Sequence, residues 1–228
     1  MRLLLSFKRS IIQIEIDNPI KMSKKIHNIL LERSTEQHRS LNDIFTKNGV
    51  IFLKKSKKNL FEFMVNLIIS QQLSTKAANS IWKNVKDLEK SKMLSLMEIF
   101  SKKNSGTLKN CGLSKNKVKA AILLRKRFEE KKIDKDVLSK MNEAELSVFI
   151  QSLWGFGPWS AEMTAMFFFG MPDIWSKKDL ILDRCITKIA KLEDENDDKI
   201  IQFYSPFKTY LALHIWKANN SGLFKEIK

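Results

Sequence analysis

The stretch that decides the fold is Ser152–Met163, SLWGFGPWSAEM. It holds two of the chain's seven glycines, one of its four prolines and two of its five tryptophans. A chain this sparing of backbone-bending residues gathers Gly155, Gly157 and Pro158 at one point. Upstream, Leu146, Phe149, Ile150 and Leu153 fall at i, i+3, i+4 and i+7, one face of a helix. Downstream, Pro158 suits the first position of a new helix, where its missing N–H costs nothing. That helix is predicted to run to Gly170, with Pro172 beyond it as a stop. The spacing therefore predicts a hairpin between two helices at about residues 150–165. Gly155 and Gly157 permit positive φ and close backbone approach, and Phe156 between them plugs the turn into the core. The N–H groups of the turn and the new helix then point one way and form an anion site, reinforced by the helix dipole. Ser160 adds a hydroxyl to it. From the glycines alone, a tight connection without a ligand reads equally well. Trp159 reads either as a core anchor or as a stacking face at the mouth of that site.

The rest of the 228-residue chain carries the same helical spacing. Phe61, Met64, Val65 and Ile68 repeat it in NLFEFMVNLIISQQLS. Ser114 is an N-cap before Val118, Ala121 and Ile122. Helix resumes near Asp179 in DLILDRCITKIAKL, the acidic EDENDDK reads as a loop, and SPFKTYLALHIWK forms a last helix. Only IIQIEI, Ile11–Ile16, alternates like a strand. The expected fold is all-α, two helical lobes around a cleft. Residues 1–35 read as a short extension, a strand or partly disordered, and 36–228 as the domain that carries the hairpin.

A formal net charge of +16, from 41 Lys and Arg against 25 Asp and Glu, suits a polyanion-binding surface, and nucleic acid is the commonest polyanion. A compositional bias toward lysine is the plainer alternative. Two cysteines are too few for a disulfide scaffold or a four-cysteine cluster and match a reducing compartment. Three scattered histidines offer no metal-ligand spacing, so neither a side-chain metal site nor a cofactor is expected. Lys8 and Arg9 break the first apolar run, against a secretory signal. No apolar stretch reaches the ~18 residues that span a membrane. The expected location is the cytoplasm, with the nucleoid, or the nucleus. Asp179, at a helix start twenty residues after Trp159, is an N-cap or a functional carboxylate. Asp173 is its rival on composition.

Together, LWGFGPWSAEM and MPDIWSKKDL resemble the signature of the helix–hairpin–helix DNA glycosylase superfamily, a Leu-Pro-Gly-x-Gly hairpin followed about twenty residues later by an essential Asp. The nearest likeness is to its alkylated-base branch, 3-methyladenine DNA glycosylase II. IISQQLSTKAANSIW (Ile68–Trp82), LKNCGLSKNKVKAAILL and SPFKTYLALHIWK are similar to further segments of that branch, in the same order. The likeness runs roughly from Gln37 to Lys217. It departs at Trp154, where the family has proline, and at the N-terminus, where the branch's bacterial member has a β-rich domain.

The resemblance implies a monofunctional enzyme that flips alkylated purines such as 3-methyladenine and 7-methylguanine out of double-stranded DNA and excises them, acting as a monomer. It implies Asp179 as the catalytic carboxylate and Trp159, Trp216 and Met163 around the base. It also implies Gly155, Gly157, Trp159 and Ser160 on the DNA phosphate, and Gln72 with Leu73 as the wedge in the gap left by the flipped nucleotide. Family members also hold a monovalent cation on hairpin carbonyls. Bifunctional relatives carry a Schiff-base lysine two residues after the second glycine, and that position here is Trp159. The alternatives are a non-catalytic helix–hairpin–helix DNA-binding module and a glycosylase for oxidised or deaminated purines.

Overall fold

The computed structural model describes residues 19–225, and among them every regular element is helical. The strand expected at Ile11–Ile16 lies outside the described residues. The chain divides into two compact units. One is built from residues up to 55 together with those from 170 onward, the other from residues 56–169. Among the described residues no helix is long and apolar enough to cross a membrane.

In the first unit, α1 (Pro19–Gln37) packs on α2 (Arg39–Asn48). The boundary expected at residue 35 thus falls inside a helix. Its buried face, Ser23, Ile26, His27, Leu30 and Ser34, follows the heptad spacing, but three of the five are polar and weaken the sequence signal. The N-terminus of α2 is capped from a distance. The Glu193 carboxylate accepts from the Ser40 N–H at 2.7 Å and from the Ser40 hydroxyl, placing negative charge at the positive end of the helix.

Glu193 closes α11 (Leu180–Glu193), which packs on α2 and on α13 (Lys208–Asn220). Tyr210, Leu211, Ala212, His214, Ile215 and Ala218 are all buried, so α13 is the centre of this unit. The stretch read as an acidic loop is loop only at residues 194–196. Asn196 caps α12 (Asp197–Phe203), and Asp197 and Asp198 occupy its first turn, where the dipole favours them.

In the second unit, α3 (Leu60–Ser70) is almost wholly apolar and buried, and it packs against α4 (Thr75–Lys92) and α7 (Lys115–Glu129). Truncating fully buried Ile68 to Ala would cost about 2–5 kcal/mol. Two single turns, α5 (Leu96–Ile99) and α6 (Ser105–Asn110), connect α4 to α7, and α8 (Lys135–Leu138) follows it. Side-chain caps start the helices, at Ser114 where the sequence placed one and at Asn142 where the reading named none. Ser114 accepts from the Lys117 N–H ahead of α7, and Asn142 and Glu145 form a capping box ahead of α9 (Glu143–Gln151). After the bend, α10 (Pro158–Thr164) widens into a π turn over Ala165–Phe169 and stops at Gly170, φ +76°.

The core of the first unit holds a histidine pair. His214, 1% exposed, stacks 5.8 Å from His27, and its Nδ1 accepts from Asn48 Nδ2 at 3.2 Å. Burial, then the charges of His27 and Lys217, lower the His214 pKa to about 3. His27 is lowered by burial too. A group whose folded pKa lies below its unfolded value costs nothing above the unfolded pKa and destabilises as pH falls through the window between them. Stability should therefore be level above about pH 6.5 and fall by about 2–3 kcal/mol by pH 4.5. Urea midpoints across that range test this. His214→Gln should flatten the acid limb, and an equally steep limb in that variant would contradict the assignment.

Candidate active site

The hairpin is built within the second unit. Residue Ser152 ends α9, and the Leu153 N–H closes back on the Ile150 carbonyl at 3.1 Å. Gly155 turns the chain at φ +87°, and a Cβ there would lie 2.8 Å from the Ala120 Cβ of α7. Only glycine satisfies both demands. Phe156 is buried and its N–H returns to the Leu153 carbonyl.

Gly157 differs from expectation. Its φ is −117° and ψ −172°, extended backbone open to any residue, and an added Cβ meets nothing within 4 Å. The fold makes no demand for glycine at this position. It is the N-cap of α10, and its carbonyl accepts from the N–H groups of Ser160 and Ala161. The N–H groups of Gly157 and Trp159 meet no acceptor among the described residues. With the N–H groups of Trp154 and Gly155, for which no acceptor is found among the described residues either, they are donors the hairpin can offer. Trp159 is half-buried, and Met163, on the same helix, is buried.

Ser160 also differs. Its side chain is 1% exposed, and its hydroxyl accepts from Gln71 Nε2 at 3.1 Å rather than projecting toward a ligand. The same Nε2 donates to the Gly155 carbonyl at 2.9 Å. Three hairpin carbonyls, those of Leu153, Gly155 and Gly157, are thus spent on protein donors. Each already accepts at least one N–H, and no step below passes through a metal. Among the described residues no group of three or more His, Cys, Asp or Glu is placed to hold one.

Gln72 and Leu73 stand exposed at the tip of the loop after α3. Gln72 adopts φ +55°, a left-handed conformation that a non-glycine residue holds only under local constraint. Lys117 supplies part of that constraint. Its ammonium donates to the carbonyls of Ile69 and Gln71, both at 2.8 Å. Burial lowers its pKa. Trp154, at the departure from the family pattern, is exposed and carries Lys119 Nζ 4.4 Å above its ring.

Asp179 and Trp216 belong to the first unit. Asp179 is the N-cap of α11, half-buried, and its Oδ1 accepts from the N–H groups of Ile181 (3.1 Å) and Leu182 (3.0 Å). The same oxygen accepts from the indole N–H of Trp216 at 3.1 Å. Oδ2 accepts nothing among the described residues. One oxygen fixes the group and the other is presented.

Asp173, the rival carboxylate, serves the fold. It accepts from the Ser205 hydroxyl at 2.8 Å and from the Lys208 N–H at 3.2 Å, holding the N-terminus of α13. The sequence reading gave no role to Gln71 or to the side chain of Lys117. Their only signals are a glutamine doublet and a lysine three residues after an N-cap serine.

No protein-family model matches the chain. In sequence it is similar to DNA-3-methyladenine glycosylase 1 of Schizosaccharomyces pombe, 24% identical over 172 residues that span 72% of this chain and 74% of the relative. It is also similar to the alkylbase DNA glycosidase-like protein mag2 of the same yeast, 26% identical over 163 residues, 69% of this chain and 76% of the relative. In fold it is similar to a DNA-3-methyladenine glycosidase from Bacillus halodurans, with TM-score 0.70, 24% identity, and 93% and 94% of the two chains covered. It also superposes on the S. pombe 3-methyladenine DNA glycosylase Mag1, solved in complex with abasic DNA, with TM-score 0.73, 20% identity, and 86% and 97% covered. In sequence and in fold alike, the chain resembles the 3-methyladenine branch of the helix–hairpin–helix DNA glycosylases.

Proposed function

We propose that this protein is a monofunctional DNA glycosylase that flips alkylated purines, 3-methyladenine and 7-methylguanine among them, out of double-stranded DNA and hydrolyses their bond to the sugar. It acts as a monomer and starts base-excision repair. The observation that carries the reading is the Asp179 carboxylate, pinned through one oxygen by two backbone N–H groups and an indole, in a chain that also bears the glycine hairpin.

The glycosidic bond is hidden in stacked DNA, so extrusion comes first and costs a few kcal/mol. Phosphate contacts at the N–H groups of Gly157 and Trp159 offset part of that cost, and Gln72 with Leu73 fills the gap. An alkylated purine carries positive charge. An aromatic face attracts such a cation by about 2 kcal/mol when desolvated, which suits Trp159. As the bond breaks, the sugar turns oxocarbenium-like. The presented oxygen of Asp179 stabilises that charge and orients or deprotonates the attacking water. Trp216 fixes the carboxylate through its indole N–H, so its part is positioning at least as much as stacking. With Trp159 where bifunctional relatives carry lysine, the product is an abasic site with the strand intact.

Asp179→Asn tests the chemistry without dismantling the site. The asparagine oxygen can still cap α11 and accept from Trp216, while the charge is gone. Excision should fall on the order of 10²-fold or more. The loss should be larger for a neutral lesion such as hypoxanthine than for charged 3-methyladenine, whose bond is already weak. Binding to abasic DNA should survive. Asp173→Asn should cost about 1 kcal/mol of stability and leave excision per folded molecule near wild type. The reverse pattern in a base-release assay would overturn the assignment. Tight binding by the wild-type protein with no base release would favour a DNA-binding module.

Gly157→Val tests the phosphate contact. The backbone and the open space at Gly157 admit a β-branched residue, so stability should fall by no more than the cost of a poorer N-cap, about 1 kcal/mol. DNA affinity should fall equally on all sequences, because backbone contacts carry no sequence information. Wild-type log K should fall with log salt by about 0.9 per phosphate neutralised. Fluorescence anisotropy over a salt series reads both. Unchanged affinity in the valine variant would remove the hairpin from the interface.

A further inference from the structure

The loop tip that carries Gln72 and the hairpin that carries Gly157 come from helices that pack together, α3 and α10. Their tips do not. A concavity of about 450 Å³ lies beside them, lined among others by Gln71, Gln72, Lys117, Trp154 and Gly155. One side chain spans from loop to hairpin, that of Gln71. Its Nε2 donates to the Gly155 carbonyl at 2.9 Å and to the Ser160 hydroxyl at 3.1 Å.

These two acceptors sit on either side of the bend that exposes the N–H groups of Gly157 and Trp159. A single carboxamide thus ties both arms of the bend. The Gly155 carbonyl can only accept, so the amide orientation is set by chemistry. The backbone of Gln71 is held just as firmly. Its N–H bonds to the Leu67 carbonyl at 3.1 Å, and its own carbonyl takes the Lys117 ammonium at 2.8 Å. The next residue is Gln72, with φ +55°. Loosening Gln71 would release both the bend and the strained residue beside it.

We infer that Gln71 is a positioning residue that fixes the register between the phosphate-binding hairpin and the wedge, so that a phosphate captured at Gly157 brings Gln72 to the base stack at a set distance. The inference rests on the glycosylase reading. On that reading, flipping needs the strand gripped and the stack invaded at one spacing. A wedge free to shift against its grip would bind DNA and fail to hold a nucleotide out. The contribution of Gln71 therefore belongs to extrusion, not to binding or bond cleavage, and it should scale with how much work extrusion takes.

The test uses single-turnover excision by the full chain on two duplexes, one with 7-methylguanine opposite cytosine and one with the same lesion opposite a tetrahydrofuran abasic analogue, where pairing is already lost. Gln71→Ala should slow excision from the paired duplex by about 10–100-fold, the range expected for losing two bridging hydrogen bonds. On the unpaired duplex it should slow it by no more than about 3-fold, with the melting temperature and the affinity for abasic duplex close to wild type. Ser160→Ala, which removes one of the two acceptors, should show the same pattern at smaller size. Equal losses on the two duplexes would make Gln71 an ordinary structural residue and overturn the inference, as would no loss on either. If the wild-type protein excises from neither duplex, the glycosylase reading fails first and the inference falls with it. Normal wild-type activity with equal losses in the variants sinks the inference alone.

Discussion

The proposed chemistry depends on one oxygen atom. Asp179 Oδ1 takes two backbone N–H groups at the start of α11 and the indole N–H of Trp216. Hydrogen bonds to an ionised acceptor contribute about 1.5–3 kcal/mol each when they replace water. Together they fix the plane of the carboxylate before any substrate arrives. An N-cap aspartate reads first as a structural residue. The two readings are compatible. A carboxylate that stabilises a developing cation works best when it does not reorganise as the charge forms. Capping through one oxygen supplies that rigidity and leaves the second without a hydrogen-bond donor among the described residues.

The hairpin divides its glycines in a similar way. Gly155 is demanded by the fold, through positive φ and the Ala120 methyl against its Cα. At Gly157 neither φ nor, among the described residues, close packing demands glycine. A glycine in ordinary extended backbone, facing open space beside two N–H groups without acceptors, makes sense when something outside the chain must approach closely. Ser160 completes the contrast. Its place in the first turn of α10 suggests an outward hydroxyl, yet it is turned inward to Gln71 and helps hold the bend.

The helices were legible because their signals are local. Ser114, Asn142 and Asp179 each cap within three residues of themselves, and Gly170 ends a helix through its own φ. Most places where the reading fell short depend on distant partners, and one on competing local signals. Asp173 could not be told from Asp179 by composition, because what separates them is that Asp173 is spent on Ser205 and Lys208, more than thirty residues away. EDENDDK looked like a loop since charge density outweighed the capping signal of Asn196. The depth of α1 was hidden because serine and histidine share its buried face, and their burial depends on helices far along the chain. Gln71 was invisible for the same reason, its acceptors lying 84 and 89 residues away.

The proposed reading takes hydrolysis over strand cleavage, and the amines are consistent with it. A lysine attacks a sugar carbon only as a neutral amine with its lone pair available, a state reached by desolvation or by a neighbouring cation. Lys177, close to Asp179 in sequence, reaches to Asp198 at 3.2 Å and spends its ammonium on that ion pair. Lys117 is the amine in the hairpin's unit whose pKa burial lowers, but its protons are committed to the carbonyls of Ile69 and Gln71. Deprotonating it would forfeit the contacts that hold the wedge loop. Trp159 occupies the position that bifunctional relatives give to the nucleophile. An enzyme so equipped needs a substrate whose base departs readily, and alkylation supplies one by putting positive charge on the leaving group. On the proposed reading, the fixed carboxylate of Asp179 then has one task, to stabilise the cation left on the sugar until water arrives.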